Sequence, residues 1–313
     1  MPTRAVSTSR PVAPVATGLV LAALLAACTG LGGTAAGSGG GGADAGTPGP
    51  ASPAGSEAPS RADPDVIDHP NGSTDIVLRV GEEGGFMMME AVMSRIPAFT
   101  LYGDGRVLVA RDPAARGEAG LNGLPQQVLR EARLTEDQVQ GLLHFALFDG
   151  MLGVSREEFP ILVMDVPTTV FELHAGGIDK TVRVAGLGMD PQPGPDSVVL
   201  KALARLAERL GTIAADADYV APASVAILAE TEPAPGTAVA DWPWPGLAPA
   251  AFVTPPPDDP FGFTSHLLTD AEATAVGVAN GASAAPATYR TSSGKSYVVV
   301  VRPALPEEAA AAG

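Results

Sequence analysis

The chain has a single cysteine, Cys28, in 313 residues. One thiol cannot close an intrachain disulfide and cannot build a thiolate metal site. Lysine is almost absent, with only Lys180, Lys201 and Lys295. The 19 Lys and Arg face 35 Asp and Glu, a formal net charge of -16. That balance excludes binding to nucleic acid through its backbone charge and docking on anionic lipid headgroups. Aromatic residues make up 5% of the chain, which leaves few side chains for the flat platforms of a carbohydrate site. The histidines His69, His144, His174 and His266 are scattered, with no two at i, i+3 or i+4, so the usual zinc spacing is missing. No Gly-x-Ser-x-Gly nucleophile elbow occurs. The apolar run Val15–Leu25 falls short of the ~20 residues needed to cross a bilayer.

That run does have a purpose. Arg4 and Arg10 precede it without an acidic residue, and Ala26 and Ala27 lead from it into Cys28. This is the layout of a cleavable export signal. With the cysteine at the cut, it resembles the bacterial lipoprotein pattern. The resemblance implies cleavage before Cys28, diacylglycerol on its sulfur and an acyl chain such as palmitate. Two buried chains, at ~0.8 kcal/mol per CH₂, hold a protein stably on a bilayer. A plain secretory signal followed by a stray cysteine is the alternative. Cys28 is therefore the expected lipid-attachment residue, and the expected location is the extracytoplasmic face of the cell membrane. Cleavage removes Arg4 and Arg10 and no acid, so the formal charge falls from -16 by two, to about -18. With its one thiol acylated, the exported body must be held together by burial alone.

Residues 1–27 are thus read as signal peptide and 28–72 as lipidated cysteine plus tether. Positions 29–63 are Gly, Ala, Ser and Pro with almost no large apolar residue after Leu31, too little to offset chain entropy. A coil of that length averages roughly 30–35 Å end to end. The acidic stretch 63–69 is not an EF-hand loop, because Pro64 interrupts it and the late Glu is missing.

Residues 73–215 form the first expected domain. Alternation places Ile76, Leu78 and Val80 on one strand face. Strands are also expected over Phe86–Ala91 and Ala98–Tyr102. A turn at Gly103-Asp104-Gly105 returns the chain into Arg106–Ala110. Thr135 and Gln138 form a capping box before the stripe Val139, Leu142, Leu143, Leu147. The pattern places His144 at the edge of the core and His174 in solvent. A hairpin turns at Ala175-Gly176-Gly177, and a helix that opens at Pro195-Asp196-Ser197 and ends at Gly211 buries Val199, Leu203, Leu206 and Leu210. Residues 216–313 form the smaller second domain: a strand at Ser224–Glu230, a capped helix from Thr269 to Ala279, and a hairpin of Thr288–Thr291 with Ser296–Arg302. Strand, capped helix and hairpin recur in both halves, a weak internal repeat. The expected fold class is α+β: two small domains, each an antiparallel sheet with helices packed on one face.

Chemical motifs fail on context. Gly294-Lys295-Ser296 lacks the earlier glycine, since position 289 is Tyr289, and a strand follows it instead of a helix. Ser292-Ser293-Gly294-Lys295 matches Ser-x-x-Lys, but in a turn, where the serine cannot open a helix toward the lysine. Glu157, Glu158 and Asp165 lie close in sequence, which does not establish two carboxylates facing each other across a cleft. They are expected to be surface acids. No catalytic residue, metal ligand or cofactor is assigned. Both tryptophans lie in Asp241-Trp242-Pro243-Trp244-Pro245. Trp242 and Trp244 are candidate binding residues as interface anchors. They can equally staple a long loop onto a small core, and the small apolar mass of the second half favours the staple. Phe86-Met87-Met88-Met89 has the same double reading, adaptable surface or strand core, and the strand core is simpler.

Phe99-Thr-Leu-Tyr-Gly-Asp-Gly-Arg-Val107, the helix start at Leu134-Thr135, Pro167-Thr-Thr-Val-Phe-Glu-Leu173, Asp241-Trp242-Pro243 and the closing Arg302–Glu308 together resemble a group of actinobacterial lipoproteins and secreted proteins of unknown function. The resemblance spans most of the chain after the tether. Its motifs are turns and strands, so it implies a fold and brings no activity, cofactor or ligand. The short closing loops and the ending Arg302-Pro303-Ala304-Leu305 depart from the group.

These readings favour a membrane-anchored, non-catalytic envelope lipoprotein. Its partners would be the membrane, through the lipid, and an envelope protein or cell-wall component, with no nucleic acid. The alternatives are an envelope hydrolase with a dispersed Ser/His/Asp or carboxylate-pair site, and a passive spacer.

Overall fold

Strong alternation of apolar residues after position 75 gives the first sheet its spine. A computed structural model describes residues 66–111, 127–189, 194–253 and 262–311. Residues 1–65, on which the expected signal peptide, Cys28 and most of the expected tether fall, lie outside the described residues. The described part is α+β and β-rich, with five α-helices and two sheets. All of it falls within one compact unit, Ser60–Gly313.

The first sheet has β1 (Ile76–Gly84), β2 (Phe99–Tyr102), β3 (Arg106–Arg111), β4 (Val128–Arg133), β5 (Glu158–Phe159), β6 (Pro167–Ala175), β7 (Ile178–Ala185) and β8 (Ala217–Asp218). Their order is β5-β7-β6-β1-β2-β3-β4-β8. All neighbours are antiparallel except the short edge pair β5–β7. Ile76 pairs with Tyr102 and Leu78 with Leu101, so one extra residue is inserted in β1. A bulge of one residue reverses the facing of everything beyond it. Leu78 and Val80 therefore join Phe99 and Leu101 in the main core, while Ile76 packs with Tyr102 on the opposite face. The expected face shared by Ile76, Leu78 and Val80 is split by this bulge.

Two helices cover the main face, α2 (Glu136–His144) and α3 (Ser197–Gly211). The α2 capping box is present, with Thr135 Oγ1 accepting from the Gln138 N–H at 3.4 Å and Gln138 Oε1 accepting from the Thr135 N–H at 2.9 Å. The helix runs on as a π-helical turn over Phe145–Asp149, where the Gly150 N–H donates to Phe145 O at 2.7 Å. Val139, Leu142, Leu143 and Leu147 are all buried, as the stripe requires. His144 departs from its expected place at the core edge: it is exposed and rests on exposed Phe148, ring centroids 4.7 Å apart. The Asp196 carboxylate makes no cap on α3 and pairs with Arg156 at 2.6 Å.

Phe86–Ala91 is not a strand. Gly84 and Gly85 both have positive φ, 61° and 83°, and turn the chain out of the sheet. Phe86, Met87 and Met88 are exposed, and a short helix follows, α1 (Met89–Met93). A short apolar run has no periodicity that separates buried strand from exposed loop.

The second sheet is β10-β12-β13-β9-β11, built from β9 (Ser224–Thr231), β10 (Val239–Asp241), β11 (Thr264–Leu267), β12 (Ala284–Arg290) and β13 (Ser296–Pro303). Its edge pair β10–β12 is parallel. Residues Ser224–Ala229 are buried without a break because both faces are covered. One face carries Trp244, Leu247, Phe252 and Ala273, the last from α4 (Asp270–Ala275). The other carries Met93 of α1 and Ala309 of α5 (Pro306–Ala310). The α4 helix ends four residues before the expected Ala279. The internal repeat does not extend to topology. In the first sheet the leading arm of the hairpin, β6, pairs with β1; in the second the trailing arm, β13, pairs with β9.

The chain end joins the two sheets. Leu305 is buried among Ile96, Tyr102, Leu108 and Leu129 on the outer face of the first sheet. Glu307 accepts from the Tyr102 hydroxyl at 2.8 Å and pairs with Arg79. Burial and the Glu307 charge push the Tyr102 hydroxyl well above its ordinary pKa, so it stays a donor. The Tyr219 hydroxyl donates to Ala304 O at 3.0 Å, and burial pushes its pKa up to about 12. Arg302 grips Glu308 through two bonds, 2.8 and 2.6 Å, while the Leu305 N–H donates to the same carboxylate at 2.8 Å.

Burial raises the Glu308 pKa, but Arg302 and the Leu305 N–H outweigh it, and the carboxyl titrates below the usual range. A depressed carboxylate contributes stability above its unfolded pKa of ~4.3, and that contribution is lost as pH falls through the folded value. Glu308→Gln is expected to cost about 2 kcal/mol at neutral pH. This is less than the ~3–5 of a fully buried pair, because the carboxyl remains 30% exposed. The cost shrinks as pH drops below ~4, and urea titrations at pH 7 and pH 3.5 measure it.

Candidate functional site

The parallel pairing of β10 with β12 sets Asp241 opposite Arg290. The β12–β13 turn then brings Thr291, Ser292 and Ser293 to the same rim. The segment after β10 closes the other side, and the result is an open groove of about 690 Å³. Its apolar wall is Trp242, Leu247 and Tyr297, and its rim is Asp241, Arg290 and the three hydroxyls.

The two tryptophans differ in position. Trp244 is 3% exposed and lies in the core, its indole N–H donating to Glu272 O at 2.9 Å. Trp242 is half-buried, its indole N–H donating to Leu247 O at 2.8 Å and its backbone N–H to Arg290 O at 2.9 Å. The rings meet edge to face at 5.3 Å, and Trp242 makes a second edge contact with Tyr297 at 5.9 Å. Trp244 thus fastens the loop, and Trp242 is held rigid with part of its surface in the groove. The stapling reading fits Trp244, which is buried in the core, while Trp242 keeps part of its surface in the groove. Arg290 and Tyr297 had no local signal, because they reach the groove only through pairing of strands distant in sequence.

The groove offers hydroxyls, with Asp241 as the one carboxylate among its lining residues. Ser293 Oγ lies 2.8 Å from Thr291 Oγ1, and Thr291 Oγ1 also donates to Lys295 O at 3.0 Å. No histidine is among the residues lining it. Lys295 Nζ turns away to Glu230 at 2.9 Å, and that hydrogen bond and charge raise its pKa. A more firmly protonated ammonium cannot take a proton from Ser292.

A second cluster has the residue types of a triad in a different arrangement. His266 Nε2 lies 3.3 Å from Glu272 Oε2. The Thr269 hydroxyl donates to that same Glu272 oxygen at 2.9 Å, and the Thr269 N–H does so at 2.8 Å. The hydroxyl therefore faces the acid and not the imidazole, which is the reverse of an activated nucleophile. Burial raises the Glu272 pKa, but these bonds and His266 outweigh it and leave it lowered. The cluster caps α4. Glu157, Glu158 and Asp165 are exposed, as expected for surface acids, and Glu158 reaches only Arg183 at 3.9 Å. No group of three or more potential metal ligands occurs among the described residues. No helix among them is long and apolar enough to cross a membrane.

The chain matches no family model, no curated protein and no solved structure.

Proposed function

We propose that the chain is an extracytoplasmic lipoprotein, anchored through Cys28, that binds a cell-envelope component in the Trp242 groove without catalysing its turnover. The observation that carries the binding reading is the groove itself: a rigid, part-exposed indole beside Tyr297, flanked by one acid, one guanidinium and three hydroxyls. Ligand sites combine an apolar wall with a few convergent polar groups in this way. The Thr291 and Ser293 hydroxyls are bonded to each other and Thr291 also to backbone, which suits hydrogen bonding to a ligand rather than attack on it. Location rests on the Arg4–Cys28 signal.

The test is co-sedimentation of the lipidated protein with purified wall polymer, alongside assays for polymer and ester hydrolysis. Wild type is expected to sediment with the polymer, and Trp242→Ala with Arg290→Ala is expected to lower affinity about 10- to 100-fold, the loss of one stacking and one charged contact. Hydrolysis without retention would transfer the protein to the enzyme class. Cys28→Ser is expected to move the protein from the membrane fraction to the soluble fraction.

A further inference from the structure

Two loops leave the same end of the first sheet. The first follows β1, and the second, residues 160–166, leads into β6, whose Pro167 pairs with Gly84. The Phe86 N–H donates to Asp165 O at 3.2 Å, so the loops touch. Their tips are almost wholly in solvent: Phe86 is 90%, Leu162 106% and Met164 86% exposed, with Met87, Met88 and Val163 beside them. Positions 84–89 and 160–164 contain no charged residue. Met189 lies alongside: a side chain on Gly186 would meet both its sulfur and Ile161. Five of the eight methionines of the chain are in this cluster, which makes the surface deformable. Large apolar groups in such numbers mark a contact surface.

We propose that these tips dip into the acyl layer of the bilayer that carries the anchor, and so fix how the head lies on the membrane. Charge selects against the headgroups, since the chain is strongly acidic, so the contact must be made with uncharged acyl chain. Protruding, flexible side chains suit a fluid partner, which needs no matching surface. Reach, which rests on the anchoring reading, is sufficient. The tether joins the head at Ile67 and Asp68, where Asp68 O accepts from the Gly176 N–H at the opposite end of β6. The loops are therefore one strand length, about 27 Å, from that junction. Residues 29–63, expected from their composition to be a coil, would average roughly 30–35 Å. Tethering keeps the loops at high effective concentration near the bilayer, so a weak insertion is enough.

With Cys28 acylated, Leu162→Cys supplies the sole free thiol for an environment-sensitive fluorophore. The full lipidated chain is placed in vesicles of phosphatidylcholine and phosphatidylglycerol. The label at 162 is expected to be quenched several-fold by brominated acyl chains and shielded from iodide. A label on Asp179→Cys, at the far end, is expected to show the reverse. Phe86→Asp with Met164→Asp, both exposed and harmless to the fold, should return the 162 label to iodide. Floating vesicles with an iodide-accessible 162 label overturn the insertion and leave the anchor standing. Shielding only in native membranes, and not in pure lipid, also overturns it, in favour of a protein partner. A reactive Cys28 thiol defeats the anchor separately; Leu162→Cys combined with Cys28→Ser, again a single thiol, then reports insertion by the loops alone, and a chain that does not float defeats both.

Discussion

A chain ending at Ala304 is expected to lose cooperative unfolding altogether. The last described residues are few, but Leu305, Glu307, Glu308 and Ala309 each fill or bond something buried. Leu305 closes the outer face of the first sheet, and removing a buried leucine side chain costs ~2–5 kcal/mol. Without Glu307, the Tyr102 hydroxyl and the Arg79 guanidinium are left without their main partner, at ~1–3 kcal/mol for each orphaned buried group. Without Glu308, Arg302 loses both bonds to its carboxylate. Ala309 leaves the second sheet's apolar cover. The combined loss reaches the ~5–15 kcal/mol by which a whole domain is stable. A chain ending at Ala311 retains all of these contacts and should unfold like wild type. Urea titration followed by circular dichroism compares the two. A chain ending at Ala304 with an unchanged midpoint would show that the closing helix is an ornament.

This dependence also explains what could and could not be read from the sequence. Capping boxes at Thr135 and Thr269, and hairpins at Gly105, Gly176 and Gly294, are local and hold in the structure. Local chemistry dictates them within four residues. The bulge between Ile76 and Leu78 was not legible, because it is set by the register against β2 and not by β1 itself. Phe86–Met89 misled for a related reason. A run of apolar residues says that burial is wanted, not whether this chain supplies it. The groove was half legible. Proline and tryptophan marked its loop, while Arg290, Ser292 and Tyr297 come from a hairpin some 50 positions later. Only the parallel pairing of β10 with β12 joins them.

The division of labour between the tryptophans can be separated by substitution. Trp244→Ala is expected to cost about 3–5 kcal/mol, the range for truncating a buried aromatic. The ring contacts Trp242 at 5.3 Å and Phe252 at 5.9 Å, and its N–H satisfies Glu272 O, so both a cavity and an orphaned carbonyl remain. With a slope of ~2 kcal/mol/M, the urea midpoint should fall by about 2 M. Trp242→Ala removes a half-buried ring and should lower the midpoint by less than half as much, yet it should remove most binding at the groove. Trp244→Phe keeps the apolar volume and should recover much of the lost stability. The physics behind the contrast is simple. A side chain as buried as Trp244, 3% exposed, contributes almost entirely to folding, while one with more surface in the groove contributes to folding in proportion to what it buries and to binding with the rest. Equal midpoint losses for the two alanine variants, with binding unchanged in Trp242→Ala, would mean that the whole aromatic cluster is structural and that the groove has no ligand.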